Sequence, residues 1–507
     1  MSDTTIDAVV RRHAALTPAK TAVVDPDSRI SYRELDDTTR TLAGSFIAAG
    51  ISKGTRVGLI MPNCVHWVQL AVALTRIGAV LVPLSTLLRP EELAVQLRAA
   101  SVEYLIAVEE FRGHRYLAEL RTDLPALRCI WNPRHLAALE RSVSEQFVDA
   151  LTTAVRPADP LVVIFTSGSS GTPKGVLHSH GNALSAVRSG LDARCITSDA
   201  RLYLPMPFFW IGGFGAGVLT TLTAGATLVT EPASEPESTL RLLEREQVTL
   251  FRGWPDQAEA LARRADTVGA DLSALRPGSL EALLPPHLRA APGARAKLFG
   301  MTESFGPYCG FRADTDMPRS AWGSCGQPFP GMEVRIVDPD SGRPQQAGDV
   351  GVIQIRGPHV MRGICGRTRE DVFTPDGFYS TGDLGHLDSD GFLFYHGRSD
   401  DMFKVSGATV YPSEVEQALR TLPGITAAFA TNVPGPQGDR VGAAVVCDPT
   451  VFSVESLRAA TKSVLSSFKV PSVWLLVADD TAIPRGTTGK VDVPALRVLL
   501  TDKENED

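Results

Sequence analysis

Short apolar runs, each closed off by polar or turn-forming residues, recur along the first half of the chain. VGLIM (57–61), AVLVPL (79–84), YLIAV (104–108), LVVIF (161–165) and ATLVT (226–230) have the length and β-branched content of buried strands. Between such runs the apolar positions fall at helical spacing. SYRELDDTTRTLAGSFIAAG (31–50) places Leu35, Leu42, Phe46 and Ile47 on one side of a helix. Ser31 and Glu34 have capping-box spacing, and Gly50 is suited to end the helix. The longest apolar stretch, VQLAVALTRIGAVLVPL (68–84), contains Thr75, Arg76 and Gly78. It is short for a membrane span and reads as a buried helix followed by a buried strand. Strands alternating with helices predict α/β sheets with helices packed on their faces.

The pattern changes in the second half. MEVRIVDPDSGRPQQAGDVGVIQIRG (332–357) predicts two strands joined by a polar turn. FLFYHGRSDDMFKVSGATVYPSEVEQALR (392–420) predicts strand, polar turn, strand and helix, with Pro412 opening the helix. ITAAFATNV, VGAAVVC, VESLRAATKSVL and VWLLVA then complete a small α+β region. The expected architecture is a large N-terminal α/β domain with a β-rich subdomain over 1–398, a hinge at 399–401 and a small mobile α+β domain over 402–507. The end, TDKENED (501–507), reads as solvated and frayed.

Composition narrows the function classes. At 507 residues the chain exceeds one ordinary core, and 44% hydrophobic with 21% charged residues is a globular balance. The net charge of −7 offers no broad basic field for nucleic acid. The first twenty residues lack the basic start and apolar core of a signal peptide, so a cytoplasmic location is expected, with peripheral membrane contact left open. Seven scattered cysteines without a CxxC read as reduced thiols. His178 and His180, in HSH, share a strand face and read as structural.

The chemistry concentrates in TSGSSGTPKG (166–175). Gly168, Gly171 and Gly175 permit close backbone approach to a ligand, and successive N–H groups can form an anion-binding nest. Thr166, Ser167, Ser169, Ser170 and Thr172 supply hydroxyls, and Lys174 a positive charge. The loop follows a predicted strand and precedes a helical stretch starting near Ser179. It is not a Walker loop, because Pro173 stands where that pattern needs glycine.

TSGSSGTPKGV resembles the phosphate loop of the adenylate-forming superfamily of acyl-CoA synthetases, peptide-synthetase adenylation domains and firefly-type luciferases. Four further segments resemble the family's motifs in order: FGMTE (299–303), YSTGDLG (379–385), GRSDDMFKVSGATVYPSEVE (397–416) and PRGTTGKVD (484–492). The resemblance spans nearly the whole chain. It implies an AMP-forming carboxylic acid–CoA ligase of the fatty-acid-ligase type that uses ATP, Mg2+ and coenzyme A. An acyl-AMP ligase serving a carrier protein and a degenerate binding protein are the rival readings. No long insertion lies between QIRG and GRSDD, which favours CoA. Thr166, Glu303, Asp383 and Lys490 are all present, which disfavours degeneracy.

Residue roles follow from the resemblance. Residues 166–172 and Lys174 would hold the phosphates, with Gly300, Met301 and Thr302 beside the nucleotide. Glu303 and the Thr166 hydroxyl would hold Mg2+. Asp383 would accept from both ribose hydroxyls, and Arg398 would also reach the ribose. Lys490 would neutralise charge between carboxylate and α-phosphate. Asp400 would be the hinge, and Ser406 and Gly407 would flank CoA. Two segments depart from the pattern. LRPGSLEALLPPHL (275–288) carries Leu280, Glu281 and Leu283 in place of small residues near the adenine, and MPFFWIGGFGAG (206–217) carries Trp210 where many relatives have histidine. Phe209, Trp210, Phe214, Trp254 and Phe305 are the expected walls of an apolar acyl pocket. Medium- or long-chain fatty, branched and steroid-derived acids all suit such a pocket.

Overall fold

A computed structural model describes residues 4–116, 120, 124–138, 143–166, 173–399, 403–405, 408–435, 439–465, 467–485 and 491–506. The chain forms two compact units. The first takes in Met1–Val334, Ile355–Tyr379 and Gly391–Leu393; the second takes in Arg335–Gln354, Ser380–Asp390 and Phe394–Asp507.

Unit one is built on two large sheets. One runs Gly363–Ile364, Lys174–Ser179, Pro160–Thr166, Val80–Pro83, Arg56–Ile60, Tyr104–Ala107 and Cys129–Trp131. Its strands are parallel from Pro160–Thr166 onward and antiparallel on the other side. The other runs Leu250–Phe251, Arg201–Tyr203, Thr227–Val229, Thr21–Val24 and Arg29–Ser31. A shared core takes Leu59, Leu81 and Ile164 from the first sheet, Val23, Leu202 and Leu228 from the second, and Val10, Leu35, Trp67 and Leu184 from helices. The expected α/β architecture is what forms, because these runs are buried on both faces.

Local signals set the helix limits. Ser31 caps the helix Tyr32–Ala48 in a complete capping box with Glu34. Gly50, at φ +92°, lets the chain leave that helix. The apolar stretch 68–84 resolves into the helix Val65–Arg76 and the strand Val80–Pro83. Arg76 is fully buried on that helix, where its guanidinium meets Asp7 at 2.5 Å and Asp36 at 2.7 Å. Among the described residues, no helix is long and apolar enough to cross a membrane.

Unit two contains a three-stranded sheet in which Arg440–Val446 pairs antiparallel with Ala427–Val433 and parallel with Val473–Val477. Alternation along RVGAAVV sends Val441, Ala443 and Val445 to a core with Val415 and Leu419, and Ala444 to a second core with Leu496 and Leu500. Pro412 opens the helix Pro412–Arg420 as expected. The strand expected before it is a hairpin of Phe403–Val405 and Ala408–Val410.

Candidate active site

The segments flanking the phosphate loop differ from the sequence expectation. The loop joins two antiparallel strands, Pro160–Thr166 and Lys174–Ser179, whose register pairs Thr166 with Lys174 and Phe165 with Gly175. A strand therefore intervenes before the helix His180–Ser189, which Ser179 caps. KGVLHS escaped notice as a strand because its alternation is short and it runs into the helix cap. Residues 167–172 lie outside the described residues, as do Asp400, Ser406, Gly407 and Lys490.

Beside this hairpin the chain makes a second tight turn. The strand Phe299–Met301 leads into a short 3-10 turn, Thr302–Ser304, and returns as Gly306–Gly310. Gly300 allows this return. A Cβ there would lie 2.1 Å from the Gly306 carbonyl oxygen, a distance no side chain can occupy. Ser304 donates to the Gly306 carbonyl at 2.6 Å, and Phe305 completes the turn at φ +53°. Glu303 is thus held 6% exposed at the turn. Its Oε1 accepts from the Tyr379 hydroxyl at 3.1 Å, and its main-chain oxygen accepts from the Met361 N–H at 2.8 Å.

His178 braces the turn from the neighbouring strand. The Asn182 amide is fixed by the Ser179 N–H on its oxygen at 2.6 Å, so its Nδ2 donates to His178 Nδ1 at 2.7 Å. His178 Nε2 then carries the proton and donates to the Thr302 carbonyl at 2.8 Å. Complete burial pushes the His178 pKa down to about 3, so the ring is neutral. Its edge meets Phe305 at a centroid distance of 4.9 Å. His178 lies on the strand Lys174–Ser179 and His180 opens the helix His180–Ser189, so the two do not share the strand face expected of HSH, because the Ser179 cap ends the strand between them. The roles of His178, Asn182 and Tyr379 in supporting the Thr302–Glu303 turn had no separate signal in the sequence, although Tyr379 sits inside YSTGDLG.

The chemistry of the donors suits a magnesium ion bound with phosphates. Glu303 offers Oε2, which takes no hydrogen bond among the described residues, and Thr166 offers a hydroxyl. No group of three or more His, Cys, Asp or Glu side chains is gathered for a metal among the described residues. One carboxylate with hydroxyl and phosphate oxygens is the usual Mg2+ arrangement.

The five aromatics occupy two settings. Phe209, Trp210 and Trp254 pack edge to face, with centroids 5.2 and 6.3 Å apart, and Trp254 stays 38% exposed. Phe214 and Phe305 meet at 6.3 Å and belong to the core of unit one. Trp210 precedes a helical turn that continues as a π-helical segment, Phe214–Leu219. Such widened turns are frequent at functional sites. The unusual leucines of 275–288 are explained by burial: Leu283 packs with Leu261 and Leu275 in a separate core, and Leu280 lies against it.

In unit two, Asp383 lies on Tyr379–Leu387 and Arg398 ends the neighbouring strand Leu393–Arg398. Arg398 Nη1 donates to Asp383 Oδ1 at 3.1 Å and to the Thr381 carbonyl at 2.9 Å. Gly382, at φ +74°, leaves room for that guanidinium; a Cβ would stand 2.8 Å from Arg398 Nη2. Asp383 is 8% exposed and its backbone N–H is tied to Thr381 Oγ1 at 3.0 Å.

Known proteins share this plan. A family model described as AMP-binding enzyme matches residues 10–365. The chain is 33% identical over 517 residues to a 3-[(3aS,4S,7aS)-7a-methyl-1,5-dioxo-octahydro-1H-inden-4-yl]propanoyl:CoA ligase of Mycobacterium tuberculosis, covering 98% of this chain and 99% of that one. It is 30% identical over 515 residues to an indoleacetate–CoA ligase of Aromatoleum aromaticum, covering 97% and 98%. The ATP-bound crystal structure of MatB from Rhodopseudomonas palustris superposes with a TM-score of 0.78 at 25% identity, covering 99% of this chain and 100% of that one. The chain belongs to the AMP-binding enzyme family, and within the adenylate-forming superfamily it is of the carboxylic acid–CoA ligase type.

Proposed function

We propose that this protein activates an apolar, ring-bearing carboxylic acid in two half-reactions. The acid's carboxylate attacks the α-phosphorus of ATP, pyrophosphate leaves, and an acyl-adenylate forms. The thiol of coenzyme A then attacks the acyl carbon and AMP leaves. The observation that carries this reading is the buried Glu303 at a turn braced by Tyr379 and by His178, on the strand that follows the phosphate loop. A preference for a ring over a plain fatty chain is supported by the relatives that act on a dioxo-indenyl propanoate and on indoleacetate.

The residues divide the work. Thr166, Ser167, Gly168, Ser169, Ser170, Gly171, Thr172 and Lys174 hold the departing phosphates. Gly300, Met301 and Thr302 line the nucleotide and Asp383 accepts from the ribose hydroxyls, with Arg398 orienting that carboxylate. Magnesium, when bound through Glu303 and Thr166, neutralises phosphate charge. Phosphoryl-centre displacement needs such neutralisation more than proton transfer, and Lys490 adds to it at the α-phosphate. Phe209, Trp210, Phe214, Trp254 and Phe305 face the acyl body. Residues 402–507 act as a mobile domain hinged at Asp400, which brings Lys490 up for adenylation and Ser406 and Gly407 beside CoA for thioester formation. The reaction takes place in the cytoplasm, with no nucleic acid as partner.

Pyrophosphate release across a panel of carboxylates, with and without CoA, tests this reading, together with mass spectrometry of the products. Acid-dependent release with an acyl-CoA product is expected. Release without any thioester in the presence of CoA would point to transfer onto a carrier protein, and no release with any acid would overturn the reading.

A further inference from the structure

Arg194 is a buried cation without a counter-charge. It lies in the turn after the helix His180–Ser189 and is 6% exposed. Its Nη1 donates to Thr220 Oγ1 at 3.2 Å, and among the described residues no carboxylate pairs with it. Its charged neighbour is a second arginine. Arg252 donates from Nη2 to the Arg194 main-chain oxygen at 2.9 Å, while its own buried Nε finds no partner. Asp314, a carboxylate whose charge acts on Arg252, is committed to Arg312, which binds it through Nη2 at 2.8 Å and Nε at 3.1 Å. Burial and Arg252 lower the Arg194 pKa to about 10, which leaves it protonated at neutral pH. Contrast Arg76, equally buried, which has two carboxylates. A guanidinium stripped of water and given no anion is unfavourable unless something else supplies the acceptor.

The surroundings say where that acceptor comes from. A Cβ on Gly306 would lie 3.7 Å from Arg194 Nη2, and Gly306 directly follows Phe305. Thr220, which holds Nη1, donates to the Gly215 carbonyl at 2.7 Å. A Cβ on Gly215 would in turn lie 3.2 Å from the Phe305 ring. The guanidinium therefore lies beside the Phe305–Gly306 turn and is held by Thr220, the residue that follows the π-helical segment Phe214–Leu219. Glycines at 190, 215 and 306 keep side chains out of its surroundings.

We propose that Arg194 is a specificity-determining residue that hydrogen-bonds an acceptor oxygen, carboxylate or carbonyl, at the end of the acid remote from the reacting carboxylate. The acid then has an apolar body against the aromatics and a second oxygen function at its tail. This rests on the ligase reading above and deepens it.

The test compares acids that differ only at the tail: octanoate, 7-oxooctanoate and octanedioate, and 3-phenylpropanoate with its 4-acetyl and 4-carboxy forms. Pyrophosphate release gives kcat/KM for the wild type, R194M and R194K. The wild type should favour an oxygen-bearing tail by about a hundredfold, the scale set by one hydrogen bond to a charged buried donor. R194M should bring that ratio close to one while still turning over the plain acid, and R194K should keep part of it. Which tail wins separates carbonyl from carboxylate. Wild-type preference for plain acids overturns the assignment without any variant, so poor folding of R194M does not protect it. Equal loss on both kinds of acid in R194M makes Arg194 structural and overturns it as well. No release with any acid overturns the ligase reading together with it.

Discussion

His178 donates its Nε2 proton to the main-chain oxygen of Thr302 at 2.8 Å, across 124 residues of sequence. The bond fixes the turn that holds Glu303, and it needs the proton on Nε2, the tautomer that the Asn182 amide sets by donating to Nδ1. Glu303, the carboxylate proposed to hold magnesium, is thereby tied to a fully buried histidine.

That arrangement predicts an acid-labile fold. Burial holds His178 at about 3 and His180 and His359 at about 4, well below the ordinary 6.5. As pH falls below about 6.5 the unfolded chain takes up protons that the folded chain refuses, so stability present at neutral pH is lost toward pH 4. Each histidine contributes a slope of about 1 kcal/mol per pH unit. Urea midpoints for the first transition should fall steeply between pH 7 and pH 5. His178→Gln should lower the midpoint at pH 7.5 and flatten the dependence by removing one of these protons. A flat wild-type profile would contradict the burial argument.

Asp383→Asn should raise KM for ATP about tenfold, since a charge-assisted acceptor becomes a neutral amide. The wild type should discriminate against 2′-deoxy-ATP and the variant should lose that discrimination. Circular dichroism checks that the Arg398 contact was not needed for folding.

Lys490→Ala should lower pyrophosphate release from ATP and acid by about a hundredfold or more, the scale of losing one electrostatic contact to a transition state. Thioester formation from supplied acyl-adenylate should persist. Equal loss in both half-reactions would remove Lys490 from the adenylation step.

Trp210 stands between Phe209 and the half-exposed Trp254. Trp210→Ala should shift preference toward bulkier rings or longer chains when kcat/KM is measured over the acid panel. An unchanged profile would make all three rings packing residues.

Much of this protein could be read from local sequence. Ser31 and Glu34 marked a helix start, the apolar runs at 57–61 and 104–108 marked strands, and five ordered motifs marked the family, because each signal is complete within a few residues. What local pattern did not carry is what depends on segments meeting from afar. It did not show that Lys174–Ser179 pairs back on Pro160–Thr166, since strand pairing is a property of two segments. Nor did it show that Phe214 and Phe305 are core residues while Trp254 stays half in water, since burial is decided by what packs on top. The sharpest case is a pair of arginines that look alike on paper. Asp7 and Asp36 come from two other helices to neutralise Arg76, and no carboxylate comes to Arg194. Sequence determined that both carry a charge; only the fold decided which of them was left needing a partner.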